Sequence, residues 1–218
     1  MTFTQAKQEI EEIIYSYLPE ESGPQKTIFE AMNYSMKAGG KRIRPMLMRE
    51  VYRLFGGSGK EIEPMMAAME MMHTSSLIHD DLPCMDNDEY RRGKKTTWVV
   101  FGYDMAVLAG DALMLYAFET AAKALSMTEN TAACARCMQI LASKSGIYGM
   151  VGGQTVDVEL TGHTRICVHG NRDSRDNRCN RLPHRHTQTS ACRRRGRAAF
   201  WASRHPHRGG SPYSPAWG

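Results

Sequence analysis

HTSSLIHDDLPCMDNDEYRRG, residues 73–93, holds five acidic groups within ten positions, Asp80, Asp81, Asp86, Asp88 and Glu89, with Arg91 and Arg92 close behind. Upstream, residues 62–81 set Ile62, Met65, Met66, Met69, Met72, His73 and Leu77 on one stripe, the spacing of an amphipathic helix. Pro83 ends that helix, because proline lacks a donor and pushes the residue before it out of the α region. Asp80 and Asp81 therefore stand on its last turn. There the helix dipole is negative and disfavours a carboxylate by about 0.3–1 kcal/mol, so a positive partner is required.

Arg91 and Arg92 meet part of that need. Hard oxygen donors with no neighbouring pair of histidines or thiolates also suit Mg²⁺, which keeps several waters, uses one or two carboxylates and completes its shell with substrate phosphate. The plainer alternative is a solvated acidic turn bridged to the two arginines. Asp80 and Asp86 are six residues apart and cannot share one continuous helical face, so Pro83 must open a loop that returns Asp86 to Asp80. His73 precedes Asp80 by seven residues, two helical turns, and lies on the same face.

Working outward, residues 4–18 read as a helix with Ile10, Ile13, Ile14 and Tyr17 on one side, stopped by Pro19. A second, 25–38, buries Ile28, Phe29, Met32 and Met36 and ends at Gly39-Gly40 in the manner of a C-cap. Pro45 suits the first turn of a third, with Leu47, Met48, Val51, Leu54 and Phe55 facing inward. Residues 103–125 are apolar on nearly every side, as a central helix would be, with Gly110 as a break or kink. A further helix covers 131–148. No stretch alternates like a strand, so the fold class is all-α.

Composition divides the chain. Residues 1–162 carry 16 basic and 21 acidic residues and all 16 methionines, whereas residues 163–218 carry 12 arginines, no lysine and two acidic residues. The basic balance belongs to the tail alone. Six cysteines without regular spacing and an acidic, helical N-terminus give the expectation of a cytoplasmic protein with reduced thiols. No apolar run approaches the roughly 20 residues of a bilayer span, so no transmembrane segment is expected. Cys134 and Cys137 form one CxxC without a second pair, a poor zinc site.

DDLPCMD at 80–86 followed by RRG at 91–93 resembles the first aspartate-rich motif of the trans-isoprenyl diphosphate synthases, the farnesyl and geranylgeranyl diphosphate synthase type of polyprenyl synthetase. GGKRIRP at 39–45, His73, GDAL at 110–113 and GQTVD at 153–157 are similar to that family's other signatures, in the same order. The resemblance covers residues 1 to about 162. It implies the large antiparallel helical bundle of isoprenoid synthases, usually homodimeric. It also implies head-to-tail condensation of an allylic diphosphate (dimethylallyl, geranyl or farnesyl) with isopentenyl diphosphate. By the same resemblance Asp80 and Asp86 are direct Mg²⁺ ligands, with Asp81 accepting hydrogen bonds beside them. Arg91 holds the allylic diphosphate, and Arg92, Lys41, Arg44 and His73 hold isopentenyl diphosphate. Gln154 and Asp157 lie near the allylic end. Asp104, Asp111 and Cys84 read as structural or incidental, a thiol being a poor partner for Mg²⁺. Ser75 and Ser76, one turn before Asp80, form the floor under the growing chain. Two small residues there leave it open to a farnesyl or geranylgeranyl product.

The tail departs from this pattern. Residues 163–218 hold four Ile, Leu, Val or Phe among 56, too few for a core. Their bias toward arginine, with six of the eight histidines, matches a GC-rich gene read out of frame after Gly162. A basic, nucleic-acid-binding arm is the alternative, and no nucleic-acid partner is expected. The second aspartate-rich motif implied by the resemblance is not found there. The chain as written is therefore expected to show little or no synthase activity and to leave apolar faces uncovered. Two other functions fit less well. A non-catalytic subunit of a heteromeric synthase need not keep both GGKRIRP and DDLPCMD, and a terpene cyclase has no use for Lys41, Arg44 and His73.

Overall fold

The computed structural model describes residues 2–161; the expected out-of-frame tail at 163–218 lies outside them. The described residues fall in one compact unit built on α4, Ile62–Asp80. Around it stand α1 (Phe3–Ser16), α2 (Lys26–Met36), α3 (Ile43–Leu54) and α6 (Tyr103–Ala122). A 3-10 turn, Lys123–Ser126, leads on to α7 (Thr131–Ser145) and α8 (Met150–Thr161). α4 packs along α6 and also touches α1, α2, α3 and α7. Local signals set most boundaries. Thr2 and Gln5 form a capping box on α1, and the Asn130 side chain caps α7. The expected 131–148 helix stops at Ser145, where Gly146 is extended, and the chain re-enters helix at Met150.

Two expected roles are exchanged. α4 is no one-sided helix. Pro64, Met65, Met66, Ala67, Ala68, Glu70, Met71, Met72, Thr74, Ser75 and Ile78 are all buried, so it is the central rod. α6, expected to be central, buries one face only: Ala106, Ala109, Gly110, Leu113, Ala117, Thr120 and Ala121. Its small residues let the backbone approach α4, while Leu108 and Leu115 point outward at 52% and 72% exposure. Helical periodicity weighs hydrophobicity, and here size decides, because alanine and glycine make the contact that leucine would hold apart. Tyr103–Ser126 is long and apolar enough to cross a membrane by length and composition alone, a test that a core helix also passes, and its alanine face lies in the protein interior.

α3 is turned as well. Leu47, Val51, Leu54 and Phe55, expected to face inward, are exposed, and its buried residues are Pro45 and Arg49. α2 stops at Met36, ahead of the glycines, which turn the chain instead with φ of 89° at Gly39 and 141° at Gly40. Two-residue strands missed by periodicity, β1 (Tyr90–Arg91) and β2 (Lys94–Lys95), pair as a hairpin. α5, Thr97–Phe101, follows it.

What turns α3 is Arg42. It precedes the helix in a left-handed conformation, φ 51°, with its side chain fully buried. It donates to Glu70 on α4 (2.7 Å), Glu11 (3.1 Å) and the Tyr15 hydroxyl (3.1 Å) on α1, and the Met36 carbonyl ending α2 (2.6 Å). Burial opposes its charge, yet the Glu70 carboxylate and Tyr15 hold the guanidinium pKa above its ordinary value. One side chain thus joins four helices, and it explains a charge in the middle of α4. Arg42→Ala would strand the Glu70 carboxylate in the interior. Urea denaturation should show a loss of about 3–5 kcal/mol; a loss below about 1 kcal/mol, as for a surface pair, would contradict this assignment.

Candidate active site

α4 ends at Asp80, with Asp81 as its C-cap, and the chain then doubles back. The Asp86 amide donates to the Asp80 carbonyl (2.8 Å), Asn87 to Leu82 (3.1 Å) and Asp88 to Asp81 (3.2 Å). Asn87 takes the left-handed conformation that closes this turn, φ 53°. The far end of the loop is anchored through the Asp88 carbonyl, which accepts from Thr96 Oγ1 and Trp98 Nε1, both at 2.9 Å. The backbones of Asp80 and Asp86 therefore lie side by side.

Asp81 is 4% exposed, and Arg91 Nε reaches both of its carboxylate oxygens, at 2.7 and 2.9 Å. Burial pushes the Asp81 carboxyl above its ordinary range, while the guanidinium pulls the other way. Burial also opposes the charge of Arg91, yet the Asp81 hydrogen bond and charge raise its pKa. The close bidentate fork makes this an ionised pair. Arg91 is thus committed to Asp81, with Asp88 at 3.8 Å as a looser neighbour.

The hairpin turn carries Arg92 at φ 54° and Gly93 at φ 79°, the two left-handed positions of a type I′ connection. That turn directs Arg92 onto the glycine pair, where Nη1 donates to the Gly39 carbonyl. A methyl on Gly40 would lie 2.8 Å from the same nitrogen. Tyr34 donates to the Lys95 carbonyl (2.8 Å), which ties the hairpin to α2, and the Ser35 and Thr97 hydroxyls share a hydrogen bond that ties α5 to the same helix. Among the described residues, the non-glycine positions with left-handed backbone are Arg42, Asn87 and Arg92, one in each segment of the site. Strain kept at such positions marks geometry that the surroundings enforce.

Because Arg42 points inward, Lys41 and Arg44 on either side of it are exposed. His73 is half-buried, and burial together with Arg44, Arg92 and Arg42 pushes its pKa down to about 4. Burial and the charges of Arg42, Arg91 and Arg44 lower Arg92 likewise. Arg44 and Arg92 thus both bear on His73, which they and burial keep uncharged at neutral pH. Ser75 is fully enclosed and donates to the Met72 carbonyl (2.8 Å); Ser76 is half-buried and donates to His73 (2.9 Å). Gln154 and Asp157 lie on α8, which packs against α7. Cys84 is exposed and accepts from the Tyr103 hydroxyl (3.1 Å).

Asp80 and Asp86 offer hard oxygens that fit Mg²⁺. Among the described residues no three His, Cys, Asp or Glu side chains gather as a complete metal site, so the protein would supply only part of a shell. Sequence reasoning missed Arg42, hidden between two exposed cations, as well as Thr96 and Trp98. Only the left-handed turn needed by GGKR hinted at the first.

Residues 25–176 match the family model described as polyprenyl synthetase. The chain belongs to that family. It is 52% identical over 136 residues to the heterodimeric geranylgeranyl pyrophosphate synthase large subunit 1, chloroplastic, of Arabidopsis thaliana, covering 62% of this chain and 37% of the relative. It is 45% identical over 158 residues to the farnesyl diphosphate synthase of Geobacillus stearothermophilus, covering 72% and 53%. Its fold matches an apo FPP/GFPP synthase from Zymomonas mobilis at TM-score 0.69 and 39% identity, over 74% of this chain and 58% of that one. This polyprenyl synthetase chain therefore spans roughly a third to a half of the length of the curated relatives it matches.

The His73 environment sets a pH dependence. Its folded pKa of about 4 lies below the ordinary 6.5. As pH falls through that window the unfolded chain takes up a proton that the folded chain refuses, and stability declines. After allowance for solvent screening we expect His73 to account for about 1–2 kcal/mol of loss. His73→Gln should reduce the wild-type difference in denaturation midpoint between pH 7 and pH 4.5; identical losses in both proteins would refute it.

Proposed function

We propose that this chain carries the diphosphate-handling part of a short-chain trans-prenyl diphosphate synthase, which joins an allylic diphosphate to isopentenyl diphosphate. One observation carries the reading. A single hairpin links an acidic loop to a basic cluster, with Arg91 seated on Asp81 and the neighbouring Arg92 seated on Gly39. An acidic loop and a set of basic residues joined by one hairpin suit a reaction with two diphosphate substrates, only one of which must lose its diphosphate.

On the acidic side Asp80 and Asp86 would hold Mg²⁺, with Asp81 and Arg91 fixing the loop behind them. When bound, Mg²⁺ neutralises charge that develops on the departing diphosphate. On the basic side Lys41, Arg44 and Arg92 would receive the diphosphate that stays, since guanidinium groups match phosphate oxygens in pairs. His73, neutral at pH 7, offers that diphosphate a hydrogen bond without adding a fourth cation. Gln154 and Asp157 would serve the allylic end. A terpene cyclase needs only the acidic pole, so the basic cluster favours the synthase. Ser75 and Ser76 would set the product between farnesyl and geranylgeranyl, with the half-buried Ser76 as the better placed of the two.

The 218 residues should bind more than they turn over, since the match spans only 37–53% of the length of these relatives. Calorimetry with isopentenyl diphosphate should show binding that Arg92→Ala weakens about tenfold or more, the worth of one charge-assisted hydrogen bond. Incorporation of radiolabelled isopentenyl diphosphate should stay at background. Equal affinity in wild type and Arg92→Ala, or no binding by either, would sink the proposal.

A further inference from the structure

Gly110 stands inside α6, where alanine would be the stronger helix former. The helix runs through it unbroken, so a break does not account for it. The neighbouring helix does. A methyl group on Gly110 would come within 3.0 Å of Nε2, Cδ2 and Cε1 of His79. The imidazole fills the notch left by the missing side chain. At its base Nε2 lies 3.2 Å from the Val107 carbonyl and 3.5 Å from Asp111 Oδ1. Two acceptors facing one ring nitrogen place the proton on Nε2, which donates to the carbonyl and is drawn toward the carboxylate.

His79 immediately precedes Asp80 on the last turn of α4. The final turn of a helix lacks part of its ladder of backbone bonds and is the part most free to fray. Here side-chain seating must set its rotation. Because the Asp86 amide bonds to the Asp80 carbonyl, any rotation of that turn carries both aspartates with it. We infer that His79, lodged in the Gly110 notch and held by Val107 and Asp111, is a positioning residue that fixes how Asp80 and Asp86 face a divalent cation and its diphosphate. The inference rests on the preceding reading of that loop.

The test uses the full chain, inorganic diphosphate with Mg²⁺ followed by calorimetry, and hydrogen exchange at the Asp86 amide without metal. His79→Leu should weaken Mg²⁺-dependent diphosphate binding about tenfold, as loss of a supporting partner does, and speed exchange at Asp86. His79→Gln, which keeps an N–H donor at similar reach, should recover affinity to within about threefold of wild type. Gly110→Ala should resemble His79→Leu, and the double variant should be little worse than either, because both act on one contact. Ala117→Gly, which loosens the same helix pair two turns away, should leave affinity within about twofold.

The inference is overturned if His79→Leu binds as wild type does, if its effect and that of Gly110→Ala simply multiply, or if Ala117→Gly does equal damage. Should wild type itself show no Mg²⁺-dependent binding, the site reading fails on its own account. Exchange at Asp86 then still decides, and an unchanged rate in His79→Leu overturns the role of His79.

Discussion

A guanidinium shut away from solvent, 2.7 Å from an equally buried carboxylate, is the contact on which this half-bundle is organised. Arg42 and Glu70 are costly to desolvate, and a pair of well-packed apolar side chains of the same volume would hold the helices at least as firmly. What the pair contributes is registry. With Arg42 drawn inward between α1, α2 and α4, its neighbours Lys41 and Arg44 are turned to the surface, Arg44 near His73, and the chain enters α3 at a fixed angle. Lys41 and Arg44 are thereby placed at the surface.

The acidic pole is positioned by a different device. Asp80 lies at the unfavourable end of a helix dipole, yet the loop beyond it is held by backbone bonds to Leu82, Asp81 and Asp80 itself. Asp81 is neutralised by Arg91, and Asp80, Asp86, Asp88 and Glu89 are the other acidic groups of this segment. The hairpin then carries the adjacent Arg92 across to Gly39. Each left-handed residue, Arg42, Asn87 and Arg92, sits where the chain must reverse to bring one pole toward the other. The backbone strain falls in the signature segments.

Much of this was legible in the sequence. Pro83 stands just beyond the end of α4, and the return of Asp86 to Asp80 follows from a six-residue offset that no helix can reconcile. The family motifs marked the segments that form the acidic loop and the glycine pair. What failed was the reading of faces. A methionine- and alanine-rich helix carries little directional pattern, so α4 read as one-sided and α6 as central, when the contact between them is governed by the size of Ala106, Ala109, Gly110 and Ala117. α3 misled for the opposite reason. Its clean apolar stripe, Leu47, Val51, Leu54 and Phe55, is exposed, because Arg42 and Arg49 claim the inward side through carboxylates far away in sequence. Long-range ion pairs leave no periodicity. The two-residue strands were too short to leave one.

The account stands on the claim that the buried pair sets the binding surface more than it sets stability. The most direct measurement is diphosphate affinity in a chain carrying Arg42→Met together with Glu70→Leu, with folding followed in parallel by circular dichroism and urea denaturation. The account requires a folded protein whose affinity for isopentenyl diphosphate has dropped about tenfold or more, since the basic cluster has lost its registry. A folded double variant that binds as tightly as wild type would contradict it.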